Sequence, residues 1–479
     1  MPEGFDVVVG LEVHCELQTA TKLFCSCPNR FGSEPNTNVC PVCLGLPGSL
    51  PVLNEQAVEY AVRIGRALGC HVRRSVFHRK NYFYPDMPKD YQITQYDEPT
   101  NVDGHLELRD GSRVGIVRAH IEEDTGKSTH VGESGRIHGA SHSLIDYNRA
   151  GVPLVEIVSA PDITSAAQAR EYVSELRGVL VATGASDGRM EEGSLRVDAN
   201  VSVRPAGSSE LGTRCEIKNL NSLRSLGRAI DYEAARQAAL IGQGAKVTQE
   251  TRHWDEEAGV THSLRSKEEA YDYRYFPEPD LVPLVPDAEL IARAEGALGL
   301  MPAARRRRLL ALLGGPDAGS GLGDQVETAI ELDLDQLVVD AVAAGAEPRL
   351  ALARAANEAA ARLDKARGLS PLAFAELLQL ESAGTLSATQ SKQVLAALIE
   401  EGGEPSEIAR RLGFEALESA EVESMLDEVV AANPAEWERY RSGDEKVAGF
   451  LLGQVMRASK GRANGKTVAA ALARRRQRR

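Results

Sequence analysis

Aromatic residues are scarce in this 479-residue sequence, at 5%, and only two of them are tryptophans. No apolar run approaches the ~20 residues that a membrane-spanning helix needs. The opening residues, Met1 to Asp6, are acidic and lack the apolar heart of an export signal. Together these absences predict a soluble, cytoplasmic protein. Positive charge is also in deficit: 55 Lys and Arg against 69 Asp and Glu leave a formal net charge of −14. A generic nucleic-acid coat is excluded, because that binding is driven by neutralising phosphates. Any RNA contact must use local basic patches. Two exist, Arg305 to Arg308 and the run Arg474, Arg475, Arg476, Arg478 and Arg479. Each reads equally well as a solvated helix face.

Nucleotide motifs are missing too. Asp124-Thr125-Gly126-Lys127-Ser128 ends like a phosphate-binding loop, but the glycine required five residues before Gly126 is Ile121. No dinucleotide fingerprint follows a strand. If ATP binds, it binds by another design.

The seven cysteines are an odd number in a chain without an export signal, which argues for a reducing compartment and metal ligation over disulfides. Four of them form two close pairs, Cys25 with Cys27 and Cys40 with Cys43, separated by twelve residues. Four thiolates so spaced suit a closed, structural Zn²⁺ site with no open position for catalysis. Cys15, Cys70 and Cys215 read as ordinary core residues.

What is present changes character near residue 290. Before it, alternating polar and apolar positions signal strands. After it, Ala, Leu, Glu and Arg recur at helical spacing, as in Leu350–Leu363. Prolines at 277, 279, 283 and 286 predict an extended border over Tyr271–Pro286. A second boundary falls near Gly402-Gly403-Glu404-Pro405. The pattern predicts an α+β chain: a β-rich domain over 1–292, a helical domain over 293–405 and a small helical tail over 406–479.

Side chains alternate faces along a strand. In Asp6–Leu17, Val7, Val9, Leu11, Val13, Cys15 and Leu17 share one face. Gly10, Glu12, His14 and Glu16 share the other. Arg196–Arg204 sets Asp198 and Asn200 opposite Val197, Ala199 and Val201. Arg214–Lys218 sets Glu216 and Lys218 opposite Cys215 and Ile217. Arg113–Asp124 ends in Glu122-Glu123-Asp124, where parity sends Glu122 and Glu123 to opposite faces without saying which meets a site. Wet strand faces ordinarily carry charge. Carboxylates in the middle of several strands, with His, Asn and Lys among them, are less ordinary. Like charges so gathered require a cation or substrate between them. Carboxylate and amide oxygens with one imidazole suit a hard ion such as Mg²⁺, and Mg²⁺ beside Lys and Arg suits phosphoryl transfer.

Several strings are highly specific together: Val9–His14, Arg79–Asp86, His120–Asp124, Asp146–Ile157, Met190–Arg196, Lys218–Ser222, Asp272–Asp280 and Gly449–Met456. The chain closely resembles the B subunit of the tRNA-dependent amidotransferase family that acts on Asp-tRNA(Asn) and Glu-tRNA(Gln). The resemblance runs from near residue 5 to the end. It implies a cradle-shaped catalytic domain, a helical domain and a tRNA-binding tail. It implies a heterotrimer with an amidase A subunit and a small C subunit. The B subunit would phosphorylate the side-chain carboxylate of the mischarged tRNA with ATP, and ammonia from the A subunit would displace the phosphate. By resemblance, Glu12, His14, Glu123, Asp198 and Glu216 match the family's Mg²⁺ positions, with Glu122 the alternative to Glu123. Lys80, Arg149 and Lys218 are assigned to phosphate or carboxylate, or else to surface ion pairs. The four cysteines match a zinc knuckle. Tyr82, Phe83, Tyr84, Tyr91 and Tyr96 either stack a terminal adenosine or belong to the core, and the core is the expectation. Arg457, Lys460 and Arg462 are placed to meet phosphates.

Overall fold

The computed structural model describes residues 4–132, 140–266, 273–315, 321–414, 419–459, 463 and 465–477. The chain divides into two compact units, Met1–Ala303 and Ala304–Arg479. The first is built on a mixed sheet and the second is helical among its described residues, so the fold is α+β.

Fourteen strands occur among the described residues of the first unit. They are β1 (Phe5–Glu16), β2 (His71–Val72), β3 (His78–Asn81), β4 (Tyr91–Thr94) and β5 (Asn101–Glu107). Next come β6 (Arg113–Glu123), β7 (Lys127–Val131), β8 (His142–Asp146), β9 (Pro153–Ser159) and β10 (Leu195–Pro205). The last are β11 (Cys215–Leu220), β12 (Glu250–Asp255), β13 (Val260–Ser266) and β14 (Phe276–Pro277). Twelve form one sheet in the order β13-β12-β11-β10-β1-β9-β6-β4-β3-β14, with β5 and β2 attached through β6. The pair β7 and β8 forms a separate ribbon.

Alternation decides which face is buried. Val9, Leu11, Val13 and Cys15 of β1 join Val155 and Ile157 of β9 and Val197, Ala199 and Val201 of β10 in one core. Helices α1 (Glu55–Ala67), α2 (Ala166–Ala182) and α3 (Leu223–Gly242) contribute Ile64, Leu176 and Ile230 to that core. Each buried aliphatic side chain contributes about 1.5–3 kcal/mol. The helices begin where a side chain can satisfy the free amides: Asn54, Ser165 and Ser222 accept from the first turns of α1, α2 and α3. With helices over its apolar face, the sheet leaves its other face for polar side chains.

The proline-rich border, described from residue 273, is extended. It adds β14 to β3, and its Glu278 carboxylate takes a two-pronged bond from Arg79 at 2.7 and 2.8 Å. Tyr271 and Asp272 lie outside the described residues.

In the second unit one core runs from Leu309 to Ala409 and another from Val422 to Leu472. The segment Leu350–Leu363 is helical but not regular. An α-helix over Pro348–Arg354 opens into a π-turn over Ala355–Ala359 and tightens into a 3₁₀ turn over Ala360–Arg362. In the Arg305 to Arg308 run, the guanidinium groups of Arg305, Arg306 and Arg308 are engaged by acids. Arg305 and Arg308 both bond the buried Asp335, and Arg306 bonds Glu327 at 2.6 and 2.8 Å. The partners lie 21–30 residues away in sequence, so a charge run read locally cannot show them. Arg475 pairs with Asp427, and Arg476 with Glu445 at 3.4 Å. Lys460, Arg462, Arg478 and Arg479 lie outside the described residues.

Glu233 of α3 is fully buried and holds the helix to the sheet. It accepts from Arg236, Gln237 and Thr261, and Arg252 approaches to 3.4 Å. Glu233→Ala strands these donors. The expected cost is about 3 kcal/mol, typical of breaking a buried ion pair. It is measurable by urea unfolding followed at Trp254 in a Trp437→Phe background. Burial pushes the Glu233 carboxyl up, but Arg236 and Gln237 hold it below its ordinary range. Its contribution is complete above about pH 5 and is lost as pH falls through the depressed value. The gap between wild type and Glu233→Gln should therefore narrow in acid.

Candidate functional site

Five neighbouring strands, β11, β10, β1, β9 and β6, carry the polar face. Register places Glu12 opposite Asp198, and His14 opposite both Arg196 and Glu156. Asn200 lies opposite Glu216, and His120 opposite Glu156. Residues assigned from separate strings thus occupy adjacent rungs of one sheet.

Two groups form on this face. In the first, His14 Nε2 lies 3.6 Å from Glu122 and 3.5 Å from Glu156. His120 Nε2 lies 3.6 Å from Glu156 and 3.9 Å from Glu122. Ligand atoms of His14, Glu122 and Glu156 lie within 4.8 Å of one another, close enough to share one cation. Burial opposes charge on His14, but a hydrogen bond to Glu156 and the Glu122 carboxylate raise its pKa to about 9. Burial and then Glu156 push Glu122 upward. Burial holds His120 down to about 4, so it is neutral. Its Nδ1 is buried and has no partner among the described residues.

In the second group, Lys218 Nζ sits 3.1 Å from both Asp198 and Glu216. Burial works against its charge, yet the two carboxylates hold it above the ordinary lysine range. Asn200 donates to Glu12 at 2.9 Å, and Thr251 to Glu216 at 2.7 Å. Burial, Glu156 and Glu216 raise the Glu12 pKa. Three carboxylates beside one lysine leave negative charge in excess, which a hard cation would offset. Mg²⁺ therefore fits the donor set.

A cavity of about 440 Å³ lies over these groups, lined by His14, Lys80, Glu122, Glu156, Asp198 and Lys218 among others. A second, of about 450 Å³, includes Gly10, Glu12, Asn200, Ser202 and Arg214 in its lining. Lys80 reaches the first cavity from β3 with its ammonium 4.8 Å from the Tyr273 ring. Arg149 does not line this cavity itself but contacts Asp124 and Thr125, which do. It donates to the carbonyls of Thr125 and Gly126 at 3.0 Å each and lies 3.4 Å from Asp124. Asp124 also takes a 2.7 Å bond from Arg196.

Glu123 does not join the metal-site positions with which the resemblance grouped it. It lies on the opposite face of β6 from Glu122, paired with Lys89 at 2.5 Å and accepting from the Ile93 amide at 2.8 Å. The pairing of Thr94 with Glu122 across β4 and β6 fixes this parity. The expectation that the aromatic group is core holds for Tyr91, which packs against the core, and fails for Phe83, Tyr84 and Tyr96. Phe83 is 77% exposed, Tyr96 52% and Tyr84 40%, and Tyr82 and Tyr91 are half-buried. Tyr82 stacks on Tyr84, and Tyr96 on Tyr275 at 3.9 Å between centroids. Glu156, His120, Asp124 and Arg196 were not singled out from sequence. Glu156 had a signal: it is the lone charge in the strand Pro153-Leu154-Val155-Glu156-Ile157-Val158.

The four cysteines of the knuckle are brought together, each sulfur within 4.8 Å of the others. The Cys40 amide donates to Cys43 Sγ at 3.2 Å, and the fully buried Lys22 reaches the same sulfur at 3.8 Å. Amide and ammonium donors turned on thiols suit a Zn²⁺ site with anionic ligands. Cys15, Cys70 and Cys215 are buried and apart.

A polar sheet face of this kind, followed by a helical unit, defines a catalytic β-sheet domain with a carboxyl-terminal appendage, and its sequence places it. Residues 7–292 match the GatB/GatE catalytic domain, and residues 336–475 match the GatB domain. The chain belongs to the GatB family. It is 50% identical over 482 residues to the B subunit of the aspartyl/glutamyl-tRNA(Asn/Gln) amidotransferase of Frankia casuarinae, covering 97% of this chain and 94% of that one. The proteins of the same description from Mycobacterium avium and Thermosynechococcus vestitus are 49% and 47% identical, over 97% and 96% of this chain and 94% of each of theirs. No helix among the described residues is long and apolar enough to cross a membrane.

The parity of β6 separates two neighbouring glutamates experimentally. Glu122→Gln is expected to weaken Mn²⁺ binding about tenfold or more, read by electron paramagnetic resonance. Glu123→Gln should leave that affinity within about twofold and lower thermal stability instead, because it strands Lys89 in the interior. The reverse pattern would put Glu123 at the cation.

Proposed function

We propose that the chain is the component of a glutamine-dependent tRNA amidotransferase in which the side-chain carboxylate of Asp-tRNA(Asn) or Glu-tRNA(Gln) is activated and amidated. The observation that carries this reading is the convergence of Glu12, His14, Asp198, Glu216 and Lys218 on adjacent strands beneath two neighbouring cavities. One substrate would be ATP and the other the aminoacyl end of the tRNA.

A carboxylate resists nucleophiles, because its charge repels them and oxide cannot leave. Transfer of the terminal phosphoryl group of ATP to that carboxylate gives an acyl phosphate and ADP. Ammonia then attacks the acyl carbon, phosphate departs, and the amide remains. When bound, Mg²⁺ would neutralise phosphate charge. Glu12, His14, Asp198 and Glu216, with Glu122 and Glu156, are the residues to hold it. Lys80, Lys218 and Arg149 would fix phosphate and carboxylate oxygens; the placement of Lys80 and Lys218 in the cavity lining supports their roles, and Arg149 stands behind the lining residues Asp124 and Thr125. Binding in fixed geometry accounts for much of the rate in such transfers. The four-cysteine knuckle would hold structural Zn²⁺. An amidase A subunit would supply ammonia, since no amidase signature occurs in this sequence, and a small C subunit would complete a cytoplasmic heterotrimer. The catalytic domain would span 1–292, a helical domain 293–405, and a tRNA-binding tail 406–479.

A tRNA-binding scaffold without chemistry is the weaker reading. Clustered acids would repel the RNA phosphates that a scaffold must attract. The test is amide formation by the assembled complex from Asp-tRNA(Asn) or Glu-tRNA(Gln), ATP, Mg²⁺ and ammonia. Glu12→Ala and Asp198→Ala should fold, bind tRNA and lose at least about a hundredfold in ATP-dependent amidation, the scale of removing one electrostatic stabiliser. Full activity in both variants would refute the site.

A further inference from the structure

Lys22 is among the largest fully buried side chains of the molecule, and no carboxylate pairs with it among the described residues. A buried ammonium is costly unless it is compensated. Its hydrogen-bond acceptors are the Asn38 carbonyl at 2.8 Å, the Tyr147 carbonyl at 3.3 Å and Cys43 Sγ at 3.8 Å. Of these acceptors only the Cys43 sulfur can carry a balancing negative charge, as a thiolate. One ammonium therefore spans two segments far apart in sequence, the knuckle loop and the turn after β8.

Side-chain amides join the same segments. The Asn36 amide group donates to the Ile145 carbonyl at 3.0 Å, and its oxygen accepts from the Tyr147 amide at 2.8 Å. Asn148 accepts from the Asn38 amide at 2.7 Å and donates to the Glu34 carbonyl at 2.7 Å. Asn36 holds a left-handed backbone, φ 59°, to make both of its bonds. The next residue in the turn is Arg149, which fixes Thr125 and Gly126 and faces Asp124 at the edge of the reaction cavity.

We infer that Lys22 and Asn36 are positioning residues through which the four-cysteine knuckle sets the orientation of Arg149, so that metal retention and turnover are linked. This rests on the reading of Arg149 as a contact to phosphate or carboxylate. The knuckle is thereby a brace for the reaction cavity and more than a local staple of its own loop. Arg149 reaches its position only while the turn behind it is held from the knuckle side.

The experiment uses the assembled complex with Lys22→Met, which keeps length and apolar packing, and Asn36→Gly, which keeps the left-handed backbone of an exposed residue. Zn²⁺ release to a chromogenic chelator and kcat and KM for ATP and aminoacyl-tRNA are measured for each, alone and with Arg149→Ala. Lys22→Met should release Zn²⁺ about tenfold faster, the scale of losing an outer-shell partner. Both variants should lower kcat severalfold, and neither should lower it further in the Arg149→Ala background, as expected of groups acting through one side chain. Losses that multiply with Arg149→Ala, or wild-type kcat in both variants, would overturn the inference. Should Lys22→Met fail to fold, Asn36→Gly alone decides. A wild-type complex unable to amidate would instead refute the function on which the inference rests.

Discussion

Charge compensation on one face of a sheet is the constraint on which this molecule turns. The acids at 12, 122, 156, 198 and 216 are set by strand alternation, because their neighbours in sequence are needed for the core. Once placed, they repel one another in a partly desolvated setting. The protein answers in part with internal cations: Lys218 between Asp198 and Glu216, and Arg196 with Arg149 against Asp124. The balance is incomplete on the Glu12 side. An acid-rich surface left short of cations is a place to receive them, and both Mg²⁺ and the positively charged arms of a substrate site answer that description.

Much of this was legible in the sequence, and for a physical reason. Period-two alternation is a local property, so the faces of β1, β10 and β11 could be read strand by strand. The cysteine spacing was likewise local. Adjacency was not, since nothing in a strand names its neighbour. The choice between Glu122 and Glu123 turned on β4, whose short pairing with β6 gives Glu123 to Lys89 and Ile93. The pairing of the arginine run at 305–308 was hidden because Asp335 and Glu327 arrive from later helices. The aromatic group misled in part: Tyr and Phe suggest core by composition, and Tyr91 of β4 meets that, but Phe83, Tyr84 and Tyr96 are exposed, with Tyr84 stacked on Tyr82 and Tyr96 on Tyr275.

The two units follow different logics. In the first, long-range pairing dominates and fixes side chains to fractions of an ångström, as a reaction site requires. In the second, short helices pack locally around two separate cores. Its π-turn at Ala355–Ala359 interrupts an α-helix while keeping Ala355 and Ala359 in the first of these cores.

The central place of β1 has a consequence for how the chain is made. It leaves the ribosome well before its two neighbours, β9 and β10, which begin at Pro153 and Leu195. Until β9 has been translated, both edges of this twelve-residue strand, apolar on one face, stand unpaired. Such edges invite pairing with other chains. Slow elongation or crowded polysomes would expose this hazard most. The growing polypeptide therefore has reason to meet a chaperone early, before any of its chemistry exists.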